Sequence, residues 1–477
     1  MNYGMIKYSL GWLLLFEAGF FLLPLLTGAI YRENAAFAFL WSMLIVAAVG
    51  ALLAFKKPKK TKLYSRDGFV IVALSWIALS IFGSLPFLFS GVTNSFVDAL
   101  FETVSGFTTT GASIFSTVED LPKAILIWRS FTNWIGGMGV LVFIMAFLPL
   151  SGAHNINIMR AESPGPSVSK LVPRIKTTAL ILYLIYFLMT ALQFALLLFG
   201  GIGIFDALNI AFSTAGTGGF GIKNDSFGSY SSYIQIVTTV FMLLFSINFA
   251  SYYLTLRGKF KDAFNTEVRV FIGLVAVVIT IITLDIVNMY GSVGEALKHS
   301  AFNVASIIST TGFASDNFDL WPNLSRTLLV LIMFVGACAG STGGGIKVSR
   351  ILILVKGMAK ELKTIVHPKQ VKKISIDSKE VEHEVVRSVN AYIVCYVALF
   401  LVSVLILSFE ETDLVTNFTA VTATINNIGP GLAGVGPASN FSAFSVISKL
   451  TLTFDMLAGR LELFPMLILF TPSTWKK

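Results

Sequence analysis

The sequence predicts an all-α integral membrane protein with about ten transmembrane helices, and three observations predict this fold class. First, 55% of the 477 residues are hydrophobic and only 13% are charged, whereas soluble globular proteins carry about 25% charged residues. Second, ten apolar runs reach the roughly 20 residues that a helix needs to cross a bilayer. Third, four short polar segments with a common pattern lie between these runs. This composition excludes a soluble enzyme, a disordered chain and a disulfide scaffold.

The apolar runs predict the positions of the spans. The first run is longer than the apolar core of a signal peptide and lacks a small-residue cleavage site, so we expect a membrane span there. The first two runs form a hairpin that precedes the repeated part of the chain. The runs lie near residues 10–31, 35–55, 68–90, 124–150, 177–200, 231–256, 268–290, 325–355, 386–409 and 442–471.

The basic residues predict the orientation of the spans. The net charge of +9 would by itself also suit a nucleic-acid-binding protein,. However, 22 of the 35 Lys and Arg residues lie in four loops on one side of the predicted membrane, and only seven lie on the other side. Because positively charged loops remain in the cytoplasm, we expect these loops and both termini to be cytoplasmic, and no nucleic acid to be bound. The four loops are 56–66, 160–176, 257–269 and 356–387.

Few residues are suited to catalysis or metal binding. Cys338 and Cys395 lie in apolar stretches, and the four histidines are scattered without metal-ligand spacing,. Acidic residues in the predicted spans are few and dispersed, so no pair is placed for acid–base catalysis. We therefore expect neither an enzyme nor an organic cofactor.

Four segments of 12 residues align without gaps, and each ends in a glycine. One predicted span precedes each segment and another follows it, so the chain after the hairpin is predicted to contain four repeats of helix, pore helix, filter loop and helix. The segments are 100–111, 207–218, 301–312 and 418–429, and their final glycines are 107, 94 and 117 residues apart. The predicted division of the chain is 1–67 for the hairpin and 68–159, 160–257, 258–365 and 366–477 for repeats 1 to 4.

These segments suit an ion pore. Segments of about 10–14 residues are too short to span a bilayer, and non-helical backbone at membrane depth is tolerated only where protein buries it or it lines a water-filled cavity. Four of them around a central axis would present rings of backbone carbonyls, which can replace the hydration shell of a monovalent cation. Ordinary polar loops between spans are the alternative interpretation, although four matching segments favour the pore.

Six stretches of the chain carry a family resemblance. They are Phe107-Thr-Thr-Thr-Gly-Ala112, Gly216-Thr-Gly-Gly-Phe220, Ser309-Thr-Thr-Gly-Phe313, Asn426-Asn-Ile-Gly-Pro-Gly431, Gly340-Ser-Thr-Gly-Gly-Gly-Ile-Lys347 and Gly459-Arg-Leu-Glu-Leu-Phe-Pro465. The first four are similar to the selectivity filters of the Trk/Ktr/HKT cation transporter superfamily, and the last two resemble further signatures of it. The extra N-terminal hairpin resembles the TrkH branch. The resemblance implies the membrane subunit of a bacterial potassium uptake system.

The resemblance also implies which residues bind the ion. In the family, serine in place of the first filter glycine goes with a preference for Na⁺. Here all four positions are glycine, which implies transport of K⁺, with Rb⁺ and some Na⁺ as further ions. The fourth filter departs from the Thr-Gly pattern because it reads Asn-Ile-Gly. The implied K⁺-binding residues are Thr109, Thr110, Gly111, Thr217, Gly218, Thr310, Thr311, Gly312, Asn427, Ile428 and Gly429.

A glycine-rich break interrupts the apolar run 325–355. Five of its ten residues are glycine, and each costs about 1 kcal/mol in a helix relative to alanine. A phosphate-binding loop is excluded because Ile346 separates the last glycine from Lys347. Close helix packing through small residues is one interpretation. The resemblance implies instead a mobile loop beneath the filter that acts as a gate, with the glycines Gly336, Gly340, Gly343, Gly344 and Gly345.

Arg460 lies within the last apolar run, where a charge is costly and marks a functional candidate. A structural ion pair with Glu462 or Asp455 is one interpretation. The resemblance favours a position in the pore, where Arg460 would raise an electrostatic barrier to cations. Three other charges lie in or near the spans, and we expect structural pairing for them: Glu17, Glu102 and Arg129.

The linker 356–387 is the longest polar stretch and carries seven lysines. It could attract anionic lipid headgroups or dock a regulatory protein. Family members work with a cytosolic nucleotide-binding regulatory subunit of the TrkA type, and the resemblance implies such a partner, a homodimer and a place in the bacterial inner membrane. The remaining alternative is a secondary transporter of a small solute, which would bind its substrate at broken helices near the bilayer midplane.

Overall fold

The computed structural model describes residues 1–58, 63–139, 175–368, 373–377 and 379–475. Regular structure within these ranges is helical, apart from one antiparallel hairpin of β1 (Ser375–Ile376) and β2 (Lys379–Glu380). The α-helices are α1 Tyr3–Phe20, α2 Leu22–Tyr31, α3 Ala35–Ala54, α4 Ser65–Gly83, α5 Leu85–Phe89, α6 Phe96–Phe107, α7 Lys123–Gly137, α8 Ile175–Phe199, α9 Ile204–Gly216, α10 Ser232–Phe245, α11 Phe249–Leu256, α12 Phe260–Ala263, α13 Thr266–Tyr290, α14 Val293–Ile308, α15 Asn323–Met333, α16 Val348–Val366, α17 His383–Leu407, α18 Leu414–Ile425, α19 Val446–Arg460, α20 Phe464–Leu467 and α21 Pro472–Trp475.

Six of the predicted spans are long apolar helices in the described residues, which confirms an all-helical membrane protein. Two of the six consist of two consecutive helices. Pro24 lies in the first turn of α2 and Pro86 in the first turn of α5, where a missing N–H costs no helical hydrogen bond. The six spans are Tyr3–Tyr31, Ala35–Ala54, Ser65–Phe89, Thr177–Phe199, Thr266–Tyr290 and His383–Leu407.

The other four predicted spans are not single long helices in the described residues. Each is the second span of a repeat. Helices α10 and α11 meet at an angle of 91°, α15 and α16 are separated by the glycine-rich loop, and α19 ends three residues before α20. In repeat 1, α7 ends at Gly137, and the remainder of the predicted span, with the boundary at 159/160, lies outside the described residues. By length and composition, the described residues contain six helices that could cross a membrane, or seven if the bent pair counts as one span, and the count of ten stays a prediction.

Four short helices, α6, α9, α14 and α18, coincide with the four repeated segments. Two of them, α6 and α18, have a side-chain cap at the first turn. The Ser95 hydroxyl accepts from the Asp98 N–H at 3.2 Å, and the Asp413 carboxylate accepts from the Thr416 N–H at 3.0 Å. Such caps satisfy N–H groups that have no partner within the helix.

The N-terminal hairpin packs against the first repeat. Gly11 of α1 faces Gly50 of α3 so closely that a β-carbon on Gly11 would lie 2.8 Å from the Gly50 carbonyl oxygen, as is typical of membrane helices that pack through small residues. Phe21 and Phe39 of the hairpin contact Trp128 of α7, with ring centroids 4.7 and 6.1 Å apart. Trp128 also contacts Phe107 at the end of α6. The hairpin therefore supports the end of α6, within the first repeated segment.

Candidate functional site

The backbone follows the same path at the ends of the four short helices. At each end a backbone N–H donates to the carbonyl five residues earlier at 2.8 Å. The residue before this donor has a φ of 54–60°, and the residue after it is a glycine with a φ of 70–101°. The resulting three-residue units, here called the ring segments, are 109–111, 217–219, 310–312 and 427–429.

This geometry corrects the register of the second segment. The glycine that takes the conformation of Gly111 is Gly219, with a φ of 70°. Gly218 takes the place of Thr110, because its N–H donates to Ser213 as that of Thr110 donates to Ser105. The gapless alignment on Gly218 is therefore one residue out of register. Two adjacent glycines offer no side chain from which the sequence could decide between them.

The four ring segments touch one another in cyclic order. A β-carbon added at any of the four ring glycines would lie closer than 3.0 Å to a carbonyl oxygen of the next segment. Only glycine fits at such a close approach and with such a φ. The contacts run from Gly111 to the Gly218 carbonyl, from Gly219 to Thr311, from Gly312 to Ile428 and from Gly429 to Thr110. The four repeats therefore close into a ring whose inner members include four backbone carbonyls.

The ring segments are buried, and some of their side chains form hydrogen bonds to each other or to residues next to the ring. Thr109, Thr110, Thr311 and Asn427 are all 0% exposed. The Thr110 hydroxyl lies 2.8 Å from that of Thr108 and accepts a hydrogen bond from the Asn427 amide at 3.0 Å. The Thr110 hydroxyl is thus engaged, whereas the buried Thr109 hydroxyl has no hydrogen-bond partner among the described residues.

A cavity of about 130 Å³ adjoins the ring on the side predicted to be extracellular. All four ring glycines line it, together with Arg129 and Lys223. The cavity gives the ring an approach from one side.

The glycine-rich loop, residues 334–347, lies against the ring. The Gly344 N–H donates to the Thr310 hydroxyl at 2.6 Å. A β-carbon on Gly343 would lie 2.9 Å from the Ser309 carbonyl, and one on Gly344 would lie 2.5 Å from the Asn426 carbonyl. The loop thus covers the helix-proximal ends of the third and fourth ring segments.

Anchors from three directions hold this loop. The Ala339 N–H and the Ser349 N–H both donate to the Glu267 carboxylate, at 2.7 and 3.1 Å. The Phe249 N–H donates to the Gly340 carbonyl at 3.0 Å. Lys347 has a φ of 82° and donates from its ammonium to the Gly343 carbonyl. Positive φ at a bulky residue is strained, so the loop is held in a conformation that it would not adopt alone.

Arg460 joins the glycine-rich loop to the first repeat. Its guanidinium donates to the Thr342 carbonyl at 2.8 Å and to the Gly137 carbonyl, at the end of α7, at 2.7 Å. The two acidic candidates have other partners: Glu462 pairs with Arg350, and Asp455 accepts from Ser403 at 2.8 Å. Arg460 thus bonds both to the glycine-rich loop and to the end of α7.

Comparison with known proteins agrees with this architecture. The family model TrkH, described as cation transport protein, matches residues 35–477. The chain belongs to the TrkH family. The family description is one of transport rather than catalysis, in agreement with the prediction that the chain is not an enzyme.

Relatives in the TrkH family cover the whole chain. The Trk system potassium uptake protein TrkH of Salmonella typhimurium is 39% identical over 485 residues, with full coverage of both chains. TrkG of Escherichia coli is 34% identical and covers 95% of this chain and 94% of its own length. The crystal structure of the potassium transporter TrkH from Vibrio parahaemolyticus matches with a TM-score of 0.90 at 36% identity over all of both chains.

Two charged residues of this TrkH-family chain differ from expectation or were missed by it. Glu102 and Arg129 form the expected pair, at 2.7 Å. For Glu17 the expectation was wrong, because neither carboxylate oxygen has a hydrogen-bond partner among the described residues. Glu267 holds the glycine-rich loop and was missed, because no motif in the sequence marks it.

Proposed function

We propose that this chain takes up K⁺ across the bacterial cytoplasmic membrane through the ring formed by the four ring segments. The observation that carries the proposal is the recurrence of one backbone conformation in four places, closed into a ring by glycine–carbonyl contacts. The name potassium uptake protein that the relatives carry agrees with it.

The ring's chemistry supports a monovalent cation. Alternating signs of φ turn successive carbonyls toward one side of the backbone, and rings of carbonyl oxygens replace a hydration shell without a formal charge. We infer that the carbonyls of the residues Thr109, Thr110, Thr217, Gly218, Thr310, Thr311, Asn427 and Ile428, next to the ring glycines Gly111, Gly219, Gly312 and Gly429, bind K⁺ and Rb⁺, with weaker binding of Na⁺.

The glycine-rich loop is the gate in this proposal. It lies against two ring segments, and its weak helix propensity allows it to move. Arg460 places a positive charge beneath the ring, where it opposes a waiting cation, and its hydrogen bonds to Thr342 and Gly137 tie the closed loop to the first repeat. Opening would then require the release of Arg460, Glu267 or both.

The proposal includes the partners and topology that the family resemblance implies. These are a homodimer with cytoplasmic termini, and a cytosolic nucleotide-binding subunit that controls the gate. The basic linker between α16 and α17 suits either docking of that subunit or contact with anionic lipid. Two of its lysines, Lys369 and Lys372, lie outside the described residues.

Uptake of ⁸⁶Rb⁺ into proteoliposomes of the purified chain tests the proposal. Excess K⁺ should inhibit uptake, Gly111→Ser should weaken it or make it tolerant of Na⁺, and deletion within Gly336–Gly345 should increase it. Failure of all three proteins to carry Rb⁺ above empty liposomes, with folding confirmed by size-exclusion chromatography, would contradict it.

A further inference from the structure

The pair of Glu102 and Arg129 is buried directly behind the first two ring segments. Glu102 lies in the middle of α6 and Arg129 in α7, and their side chains are 0% and 2% exposed. One Glu102 oxygen accepts from the Arg129 Nε at 2.7 Å and from the Ser113 hydroxyl at 3.0 Å. The other accepts from the Ile114 N–H at 2.9 Å. The carboxylate therefore holds the chain that leaves the first ring segment.

Arg129 extends this hold to the second ring segment. Its Nη1 donates to the Gly221 carbonyl at 3.1 Å, two residues after Gly219. Its guanidinium lies over the Phe220 ring, 4.1 Å from the centroid, in a cation–π contact. The pair thus connects the exits of two neighbouring ring segments that are more than 100 residues apart in the chain. Arg129 also lines the cavity beside the ring.

The pair of Glu102 and Arg129, here called the clamp, is specific to repeat 1. In the register set by the ring glycines, the counterparts of Glu102 are Ile210, Asn303 and Ala420. Asn303 makes a neutral version of the contact, since its amide donates to the Ser315 hydroxyl at 3.2 Å. An ion pair therefore fixes the ring between its first and second segments, and the residues at the place of Glu102 in the other three repeats carry no charge.

A buried ion pair is an expensive way to stabilise a fold, because the cost of desolvating both charges often exceeds their attraction. Charge-assisted hydrogen bonds are, however, shorter and stronger than neutral ones. The Arg129 guanidinium donates to three different acceptors, Glu102, Gly221 and Ser113, which fixes direction as well as distance. K⁺ and Na⁺ differ mainly in radius, so discrimination between them depends on how firmly the carbonyl oxygens of the ring are kept in position. The pair is therefore better suited to fixing ring geometry than to adding stability.

We propose that Glu102 and Arg129 are positioning residues that set ion discrimination, by fixing the carbonyls of the first and second ring segments. This proposal rests on the proposed function, since discrimination has meaning only if the ring binds cations.

The test compares Glu102→Gln, Arg129→Lys and Ser113→Ala with the unaltered protein. Arg129→Lys keeps the charge but loses the fork, and Ser113→Ala removes only a hydroxyl that contacts both partners. Asp98→Asn is the matched control, because it breaks the Asp98–Lys449 ion pair (2.7 Å) on the same helix, α6, at the end away from the ring.

Two quantities are measured for each protein. The first is the ratio of the Na⁺ and K⁺ concentrations that halve ⁸⁶Rb⁺ uptake. The second is the difference in Tm between KCl and NaCl in detergent, which reports binding without transport because a ligand that binds the folded state raises Tm.

The clamp predicts an about tenfold fall in the ratio for Glu102→Gln and Arg129→Lys, as expected for the loss of a charge-assisted hydrogen bond. Ser113→Ala should lower the ratio less, by about threefold, because it removes one hydroxyl but leaves the direct Glu102–Arg129 hydrogen bond in place. The Tm difference should shrink in the same order. Asp98→Asn should keep both values, even where its Tm falls as far as those of the clamp variants.

The outcomes separate the two proposals. Uptake by the unaltered protein with unchanged ratios in Arg129→Lys and Ser113→Ala would overturn the clamp and leave K⁺ uptake standing. No Rb⁺ uptake by the unaltered protein would overturn the function, while the KCl–NaCl Tm differences would still decide the clamp. If Glu102→Gln does not fold, the ratios of Arg129→Lys and Ser113→Ala decide whether the clamp is correct. A fall in the ratio of Asp98→Asn as large as that of the clamp variants would count against the clamp.

Discussion

The Asn427 amide donates a hydrogen bond to the Thr110 hydroxyl at 3.0 Å, across 317 residues of sequence. The same amide nitrogen also donates to the Met456 carbonyl at 2.9 Å. Thr110 belongs to the first ring segment and Asn427 to the last. The contact therefore closes the ring between the two ends of the repeated chain, at the segment that reads Asn-Ile-Gly.

A double-mutant cycle tests this closing contact. Asn427→Ala should lower the free energy of unfolding by about 1–3 kcal/mol, because it leaves the Met456 carbonyl without this buried donor. Combined with Thr110→Val it should show a coupling of about 0.5–1 kcal/mol, as residues in contact do. Thr311→Val, at the matching place in repeat 3, should show no coupling with Asn427→Ala. Chemical unfolding in detergent measures the free-energy change of Asn427→Ala and both coupling energies. An equal coupling of Asn427 to Thr110 and to Thr311 would contradict a specific Asn427–Thr110 contact.

The register of the second ring segment gives a prediction at two neighbouring residues. Gly219→Ala should abolish ⁸⁶Rb⁺ uptake, because its positive φ and the adjacent Thr311 carbonyl leave no room for a side chain. Gly218→Ala should reduce uptake less, since the obstacle there is the Asn133 side chain, which can shift, and the other segments carry side chains at that place. A greater loss for Gly218→Ala, with equal amounts of folded protein, would support the gapless alignment instead.

Arg460 should slow the flux. Arg460→Gln removes the charge beneath the ring and weakens the hold on Thr342, so uptake should increase several-fold, in line with the loss of one or two hydrogen bonds of about 1 kcal/mol each. Arg460→Lys keeps the charge but not the fork, and it should give an intermediate rate. A rate for Arg460→Gln at or below that of the unaltered protein would show that the arginine does not act as a barrier.

Glu267 should keep the glycine-rich loop closed. Cys338 in that loop is 0% exposed, so its reaction with a maleimide reports opening. In a Cys395→Ser background, Glu267→Ala should speed the labelling of Cys338 and increase ⁸⁶Rb⁺ uptake, because the Ala339 and Ser349 N–H groups lose their common acceptor. Glu267→Gln, which keeps an acceptor oxygen, should be milder.

Asp285→Asn is the control for the Glu267 prediction. Asp285 lies on the same helix, α13, and its carboxylate accepts from the Ser325 N–H at 3.2 Å and from the Ser325 hydroxyl at 2.6 Å. It therefore holds the start of another helix and not the loop. Equal labelling of Cys338 in Asp285→Asn and Glu267→Ala would mean that general destabilisation of the protein exposes the loop, rather than the loss of the Glu267 hydrogen bonds.

The length of the apolar runs and the repeated sequence patterns predicted the long helices, the short helices and the glycine-rich loop. Long apolar runs such as 268–290 became single helices, because burial of apolar surface in lipid requires only length and hydrophobicity. The breaks in the second spans of the repeats were not all predicted, because an apolar run does not reveal a bend such as that between α10 and α11. The short helices and the glycine-rich loop were predicted, since four recurrences and a density of glycine are visible in the chain.

Contacts between distant residues could not be predicted in the same way. The Arg129–Gly221 hydrogen bond joins residues 92 apart, and the Glu267–Ala339 bond joins residues 72 apart. No spacing rule links such pairs, because each depends on how two repeats dock. The choice between Gly218 and Gly219 needed backbone hydrogen bonds, which two identical residues do not encode.

The central claim is that the four ring segments bind the transported ion, and an anomalous difference map from crystals grown in RbCl tests it most directly. We expect a Rb⁺ peak on the ring axis, among the carbonyl oxygens of Thr110, Gly218, Thr311 and Ile428, and its loss on exchange into an organic cation that is too large to enter. A well-ordered map with no peak inside the ring, or with its strongest peak at another place in the membrane-spanning region, would contradict the account.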